Sequence, residues 1–128
     1  MLDERVPDDT LLFRRVPRDQ IVRDPKTGGG VRPSSKAFQN NTKPVKTNRM
    51  SIWLGDKLAQ DGRAPESVVE GTTHLLVSLI AGFVYTLGQD VERTPAEAEP
   101  AHGDVVGTKS GGVKNKLAQT AEWVVPPS

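Results

Sequence analysis

Leu75-Leu76-Val77-Ser78-Leu79-Ile80-Ala81-Gly82-Phe83-Val84-Tyr85-Thr86-Leu87-Gly88 is the stretch whose division decides the fold. Its apolar run from Leu75 to Leu87 is the longest in the chain, 13 residues broken by Ser78, Gly82 and Thr86. A membrane helix needs roughly 20 apolar residues, so this run belongs to a core. LLVSLI (75–80) reads as a buried strand. GFVYTL (82–87) fits about two helical turns, with Phe83, Val84 and Leu87 on one face and Gly88 as the stop. A strand running straight into a short helix implies a mixed architecture.

Working outward, LLFRRV (11–16) reads as a first strand, with Leu11 and Phe13 on one face and Leu12, Arg14 and Val16 on the other. MSIWL (50–54), QDVER (89–93) and HGDVV (102–106) read as further strands. Residues 56–60 suit a short helix capped by Asp56 and stopped by Gly62. Residues 65–70 suit another, with Pro65 in its first turn, Glu66 favoured by the helix dipole and Gly71 past its end. Val113, Leu117, Ala121 and Val124 recur at helical spacing and define a last helix over 113–122. The expected fold is α+β: one small domain over 1–128, four or five short strands, two or three helices and a long N-terminal loop. There is no internal repeat.

The chain has 128 residues, enough for one modest core. Gly and Pro together make up 22 of them, which fits a loop-rich domain but not disorder throughout. With no cysteine, disulfide scaffolds and thiolate metal sites are excluded. The start MLDERVPDD is acidic and lacks the basic and apolar regions of a secretory signal, so a cytoplasmic location is expected.

Charge is strongly segregated. Residues 14–49 carry ten bases (Arg14, Arg15, Arg18, Arg23, Lys26, Arg32, Lys36, Lys43, Lys46, Arg49) and two acids, a net +8. Residues 50–104 carry three bases and nine acids, a net −6. The basic block either contacts an anionic partner or folds back on the chain's own carboxylates. Residues 17–49 are polar and rich in Pro and Gly, with a turn signal at Asp24-Pro25 and Lys26-Thr27-Gly28 leading into Gly28–Gly30. They read as a long basic loop or arm that Ala37 and Phe38 tether to the core.

No catalytic motif is complete. The loop Gly107-Thr108-Lys109-Ser110-Gly111-Gly112 follows a strand and opens a helix, the setting of a phosphate cradle. Val113 stands where a nucleotide-binding loop needs Lys, and Asn115 where it needs Ser or Thr, which excludes triphosphate hydrolysis. Anion binding through Lys109, Lys114 and Lys116 stands against a plain strand-to-helix turn. His74 and His102 are the only histidines. Glu97, Glu99 and Asp104 near His102 have no metal-ligand spacing, so neither metal nor cofactor is expected. Trp53 and Trp123 read as core or interface anchors.

The order Arg14 or Arg15, then Ser51, then Glu97-Ala98-Glu99 resembles the arginine–serine–glutamate class of ADP-ribosyltransferases. That resemblance implies phosphate binding by the arginine, ribose positioning by the serine and stabilisation of an oxocarbenium-like sugar by the last glutamate. Met50-Ser51-Ile52 departs from that family's Ser-Thr-Ser form. A wider set is similar to small bacterial proteins of this length with no established activity. It comprises Phe13-Arg14-Arg15-Val16-Pro17, Arg32-Pro33-Ser34-Ser35-Lys36-Ala37-Phe38, Met50-Ser51-Ile52, Ala81-Gly82-Phe83-Val84 with Leu87-Gly88, Pro100-Ala101-His102, and Leu117-Ala118 with Trp123-Val124. It implies that Arg32–Ser35 and Pro100–His102 share a site.

Three functions are expected in order. The first is a non-catalytic accessory protein, with no membrane association, docking on a larger protein through the basic arm. Its binding residues would be Arg14, Arg15, Arg18, Arg23, Arg32, Ser34, Ser35, Lys36, Arg49, His102, Lys109 and Lys114. The second is nucleic-acid binding through 14–49 with Lys109, Lys114 and Lys116, although one aromatic in 14–49, Phe38, leaves little to stack bases on. The third is a small ADP-ribosyltransferase-like enzyme using Arg14 or Arg15, Ser51, Glu97 and Glu99.

Overall fold

The computed structural model describes residues 5–26 and 30–127. Six strands form one antiparallel sheet: β1 (Leu11–Val16), β4 (Arg49–Leu54), β5 (Leu75–Ile80), β6 (Asp90–Arg93), β7 (His102–Val106) and β8 (Glu122–Val125). Their order is β6-β7-β4-β1-β5-β8. β2 (Ile21–Arg23) and β3 (Val31–Pro33) form a separate hairpin. The helices are α1 (Gly55–Gln60), α2 (Ala81–Thr86) and α3 (Gly111–Thr120). Among the described residues none is long and apolar enough to cross a membrane.

Alternation places the core. In β4, Met50, Ile52 and Leu54 are buried toward one side while Arg49, Ser51 and Trp53 point to the other. The main core gathers Leu12, Val16, Phe38, Met50, Ile52, Leu54, Val77, Leu79 and Leu117. A smaller one on the opposite side gathers Phe13, Leu58, Val68, Val69, Leu76 and Ala101, with Trp53, Val124 and Val125 against it. β5 is covered on both sides, which is why LLVSLI reads as a nearly continuous apolar run. Gly88 ends α2 at a φ of 77°, a backbone that favours glycine.

The α+β class holds, but the described residues contain eight strands, not four or five. One addition comes from the C-terminus. The expected helix over 113–122 ends at Thr120, because Ala121 turns extended (ψ 139°). Val124 therefore packs from a strand, β8, which pairs with β5. Residues 65–69 form a 3-10 turn. Asp56 does not cap α1; it lies in the first turn and its carboxylate grips Arg93 at 2.6 Å.

The other additions lie in 17–49, where contacts besides Ala37 and Phe38 hold the segment to the rest of the chain. The β2–β3 hairpin is held where the Trp123 indole donates to the Val31 carbonyl (3.1 Å). A 3-10 turn, Ser35–Phe38, is capped by the Ser34 hydroxyl and packs on α3, with Ala37 and Phe38 buried. The Thr27-Gly28-Gly29 part of the expected turn lies outside the described residues. Because Phe38 is wholly buried in the main core, Phe38→Ala is expected to cost about 3–5 kcal/mol in urea denaturation. A tether on a free arm would give a change near zero.

Candidate anion-binding cleft

β1 keeps its partner on one edge and loses it on the other. Its ladder with β5 runs the full strand, from Leu11↔Ile80 to Val16↔Leu75. Its ladder with β4 covers only Leu12↔Leu54 and Phe13↔Trp53. Beyond that point the strands part, and Arg14 fills the gap. Its Nη1 donates to the Ser51 carbonyl (2.7 Å) and its Nε to the Ala37 carbonyl (3.0 Å). One side chain thus satisfies a strand carbonyl that has lost its ladder and ties in the 3-10 turn. The free edge of β4 is met by residues 39–42: the Asn41 amide donates to Arg49 (2.7 Å), and its side chain donates to the Ser51 hydroxyl (3.1 Å).

Between these elements lies a cleft of about 330 Å³, lined by Arg14, Arg15, Pro17, Gln20, Lys36, Gln39, Asn40, Asn41, Thr42 and His74. None of these is acidic. Arg14 and Arg15 are adjacent on β1 and both line it, and the Arg15 guanidinium lies 4.8 Å from the Trp53 ring centroid. Burial, and then the charge of Arg15, lowers the Arg14 pKa to about 10. No carboxylate lies within ion-pair distance of Arg14 among the described residues.

Lys109 supports the wall of the cleft. Its ammonium bonds the Asn40 side-chain oxygen and donates to the carbonyls of Val105 (3.1 Å) and Gly107 (3.0 Å). Asn40 in turn donates to Gly107 (3.1 Å). The glycine loop therefore spends its lysine internally, and Ser110 caps α3 by accepting from the Val113 amide. Burial, and then the charge of Arg14, lowers the Lys109 pKa to about 8, against an opposing pull from Asp104.

The remaining expected residues scatter. Arg32 pairs with Asp24 (3.3 Å), and Arg49 pairs with Glu92 (3.0 Å) and Asp104 (3.2 Å). Arg18, Arg23 and Lys36 are exposed and Lys114 is half-buried on α3. Ser34 serves as a cap. Arg32–Ser35 and Pro100–His102 share no hydrogen bond or ion pair among the described residues. His102 instead sits edge-on to Trp53 and bonds Thr94 (2.8 Å).

Arg14 and Ser51 meet, but Glu97 and Glu99 do not join them. Glu97 is exposed in the 96–99 turn. Glu99 sits against the side of the sheet that Trp53 faces, accepting from Trp53 (2.9 Å) and twice from Arg63 (2.6 and 3.0 Å). Arg63 above all, then Trp53 and the Ala101 amide, hold its carboxyl at about 2 despite partial burial. Among the described residues no group of His, Asp and Glu is placed to hold a metal. Sequence reading missed the amides Gln20, Gln39, Asn40 and Asn41 and undervalued His74, because nothing local marks a polar side chain as cleft-facing.

No protein-family model, curated protein or solved structure matches the chain.

Two titrations follow from this geometry. Lys109 is expected to titrate near 8 by NMR of its side-chain resonances. Arg14→Gln raises that midpoint by removing a like charge, and Asp104→Asn lowers it by removing an opposite one; unchanged midpoints in both would contradict the arrangement. Glu99 is depressed in the folded state, so its stabilisation is complete above the ordinary value of 4.5 and fades as pH falls toward 2. The stability gap between the native chain and Arg63→Gln, from urea midpoints, is therefore expected to shrink between about pH 5 and about pH 2.

Proposed function

We propose that the chain is a non-catalytic recognition module that docks on a larger, acidic protein through the folded basic surface of residues 14–49. One observation carries this reading. Of the ten bases in that block, only Arg32 and Arg49 form ion pairs with carboxylates among the described residues. The −6 segment spends its acids elsewhere: Asp56 on Arg93, Glu99 on Arg63, and Glu92 with Asp104 on Arg49. Arg18, Arg23, Lys26, Lys36, Lys43 and Lys46 stay exposed. Unneutralised surface cations speed encounter with an anionic partner and reject cationic ones.

A protein partner is favoured over single-stranded nucleic acid because Phe38, the block's one aromatic, is buried and offers no stacking surface.

Binding to poly-glutamate and to duplex DNA, followed by fluorescence anisotropy, tests the proposal. Poly-glutamate is expected to bind at low salt and to weaken steeply between about 50 mM and about 200 mM. The charge reversals Arg18→Glu and Lys46→Glu together should abolish it. Tighter binding to DNA than to poly-glutamate at equal salt would overturn the reading in favour of nucleic acid.

A further inference from the structure

The cleft carries two chemistries, and neither is needed for docking a flat acidic surface. Arg14, Arg15 and Lys36 supply three cations. Arg14 is fixed by the Ala37 and Ser51 carbonyls, which take Nε and Nη1. A guanidinium has five donors, so Nη2 keeps its two unspent among the described residues. An arginine held in this way presents a preorganised fork to phosphate oxygens, with no acid in the lining to compete.

Amide side chains supply the second chemistry. Asn40 is spent on Lys109 and Gly107 and builds the wall. Gln20 and Gln39 make no side-chain hydrogen bond among the described residues, and Asn41 uses only its nitrogen, on Ser51. Each free amide can both donate and accept, as a hydroxyl does, so a polyhydroxy ring can satisfy them. The volume of about 330 Å³ lies at the small end of ligand pockets, suited to one sugar phosphate and too small for a dinucleotide.

We propose that the cleft binds a phosphate ester carried on a hydroxyl-rich ring, with the phosphate on Arg14, Arg15 and Lys36 and the ring hydroxyls on Gln20, Gln39 and Asn41. This goes beyond the docking reading; the two share Lys36, but Arg18 and Lys46, whose reversal tests docking, do not line the cleft. A free sugar phosphate and the sugar-phosphate part of a mononucleotide share this chemistry.

Calorimetry and amide NMR on the full chain, with inorganic phosphate, ribose, ribose 5-phosphate and adenosine monophosphate as probes, test it. Ribose 5-phosphate should bind about tenfold more tightly than inorganic phosphate and shift the amides of residues 39–41, while ribose alone should not bind. Adenosine monophosphate binding equally well supports a free sugar phosphate; tighter binding supports a mononucleotide. Lys36→Gln and Gln39→Ala alter exposed side chains and leave the half-buried Arg14 in place. Lys36→Gln should weaken every phosphate probe about tenfold, and Gln39→Ala should weaken ribose 5-phosphate but not inorganic phosphate. Equal affinity for inorganic phosphate and ribose 5-phosphate, or no response at residues 39–41, would overturn the proposal. Retention of poly-glutamate binding alongside either result would leave the docking reading standing.

Discussion

The guanidinium of Arg14, set between two parted strands, is the interaction on which the rest depends. A sheet that opens on one edge leaves strand carbonyls without ladder partners, and an unsatisfied buried carbonyl is costly. Arg14 answers that for Ser51 and in the same stroke anchors the 3-10 turn at Ala37. Removing it would leave two carbonyls to find new donors and free the turn whose Phe38 fills the main core. Placing a charge there without a carboxylate is expensive, and its pKa is lowered to about 10 accordingly. A half-buried cation that is hydrogen-bonded but not neutralised is suited to an anion.

Around it, the folded chain sorts its charges. The acidic segment does not cover the basic one. Among the described residues it makes its own pairs, Asp56 with Arg93 and Glu99 with Arg63, and reaches across only to Arg49. These pairs brace the ends of β4, β6 and β7 and the turn before β7. Lys109 performs the corresponding task in the glycine loop, tying 105–107 to Asn40. The loop that looks most like a phosphate cradle in sequence is thus consumed by structure, while the cleft that is open to an anion lies elsewhere.

The apolar cavity of about 450 Å³ bordered by Pro7, Leu11, Phe13 and Leu58 shows the contrast. Its lining charges Asp56 and Arg63 are both committed to internal pairs, and the charge left over there is the carboxylate of Asp9, which would repel an anion. In the cationic cleft Arg14 is held by two carbonyls and keeps donors unspent, and a fixed donor confers specificity.

Period-2 alternation and apolar runs made β1, β4, β5 and β7 legible from sequence almost to the residue, and glycine punctuation marked the ends of α1, the 65–69 turn and α2. Those signals are local: a side chain's face follows from its neighbours along the chain. The short strands β2, β3 and β8 were not legible, because each is stabilised by something distant, such as Trp123 on Val31 or β5 beside β8. The same holds for the cleft. Composition alone determined that residues 14–49 carry the positive charge. Which of those cations are neutralised, which one enters the sheet, and which amides stand beside it were decided by tertiary structure, because ion pairs and clefts form between residues tens of positions apart whose distances no local pattern encodes.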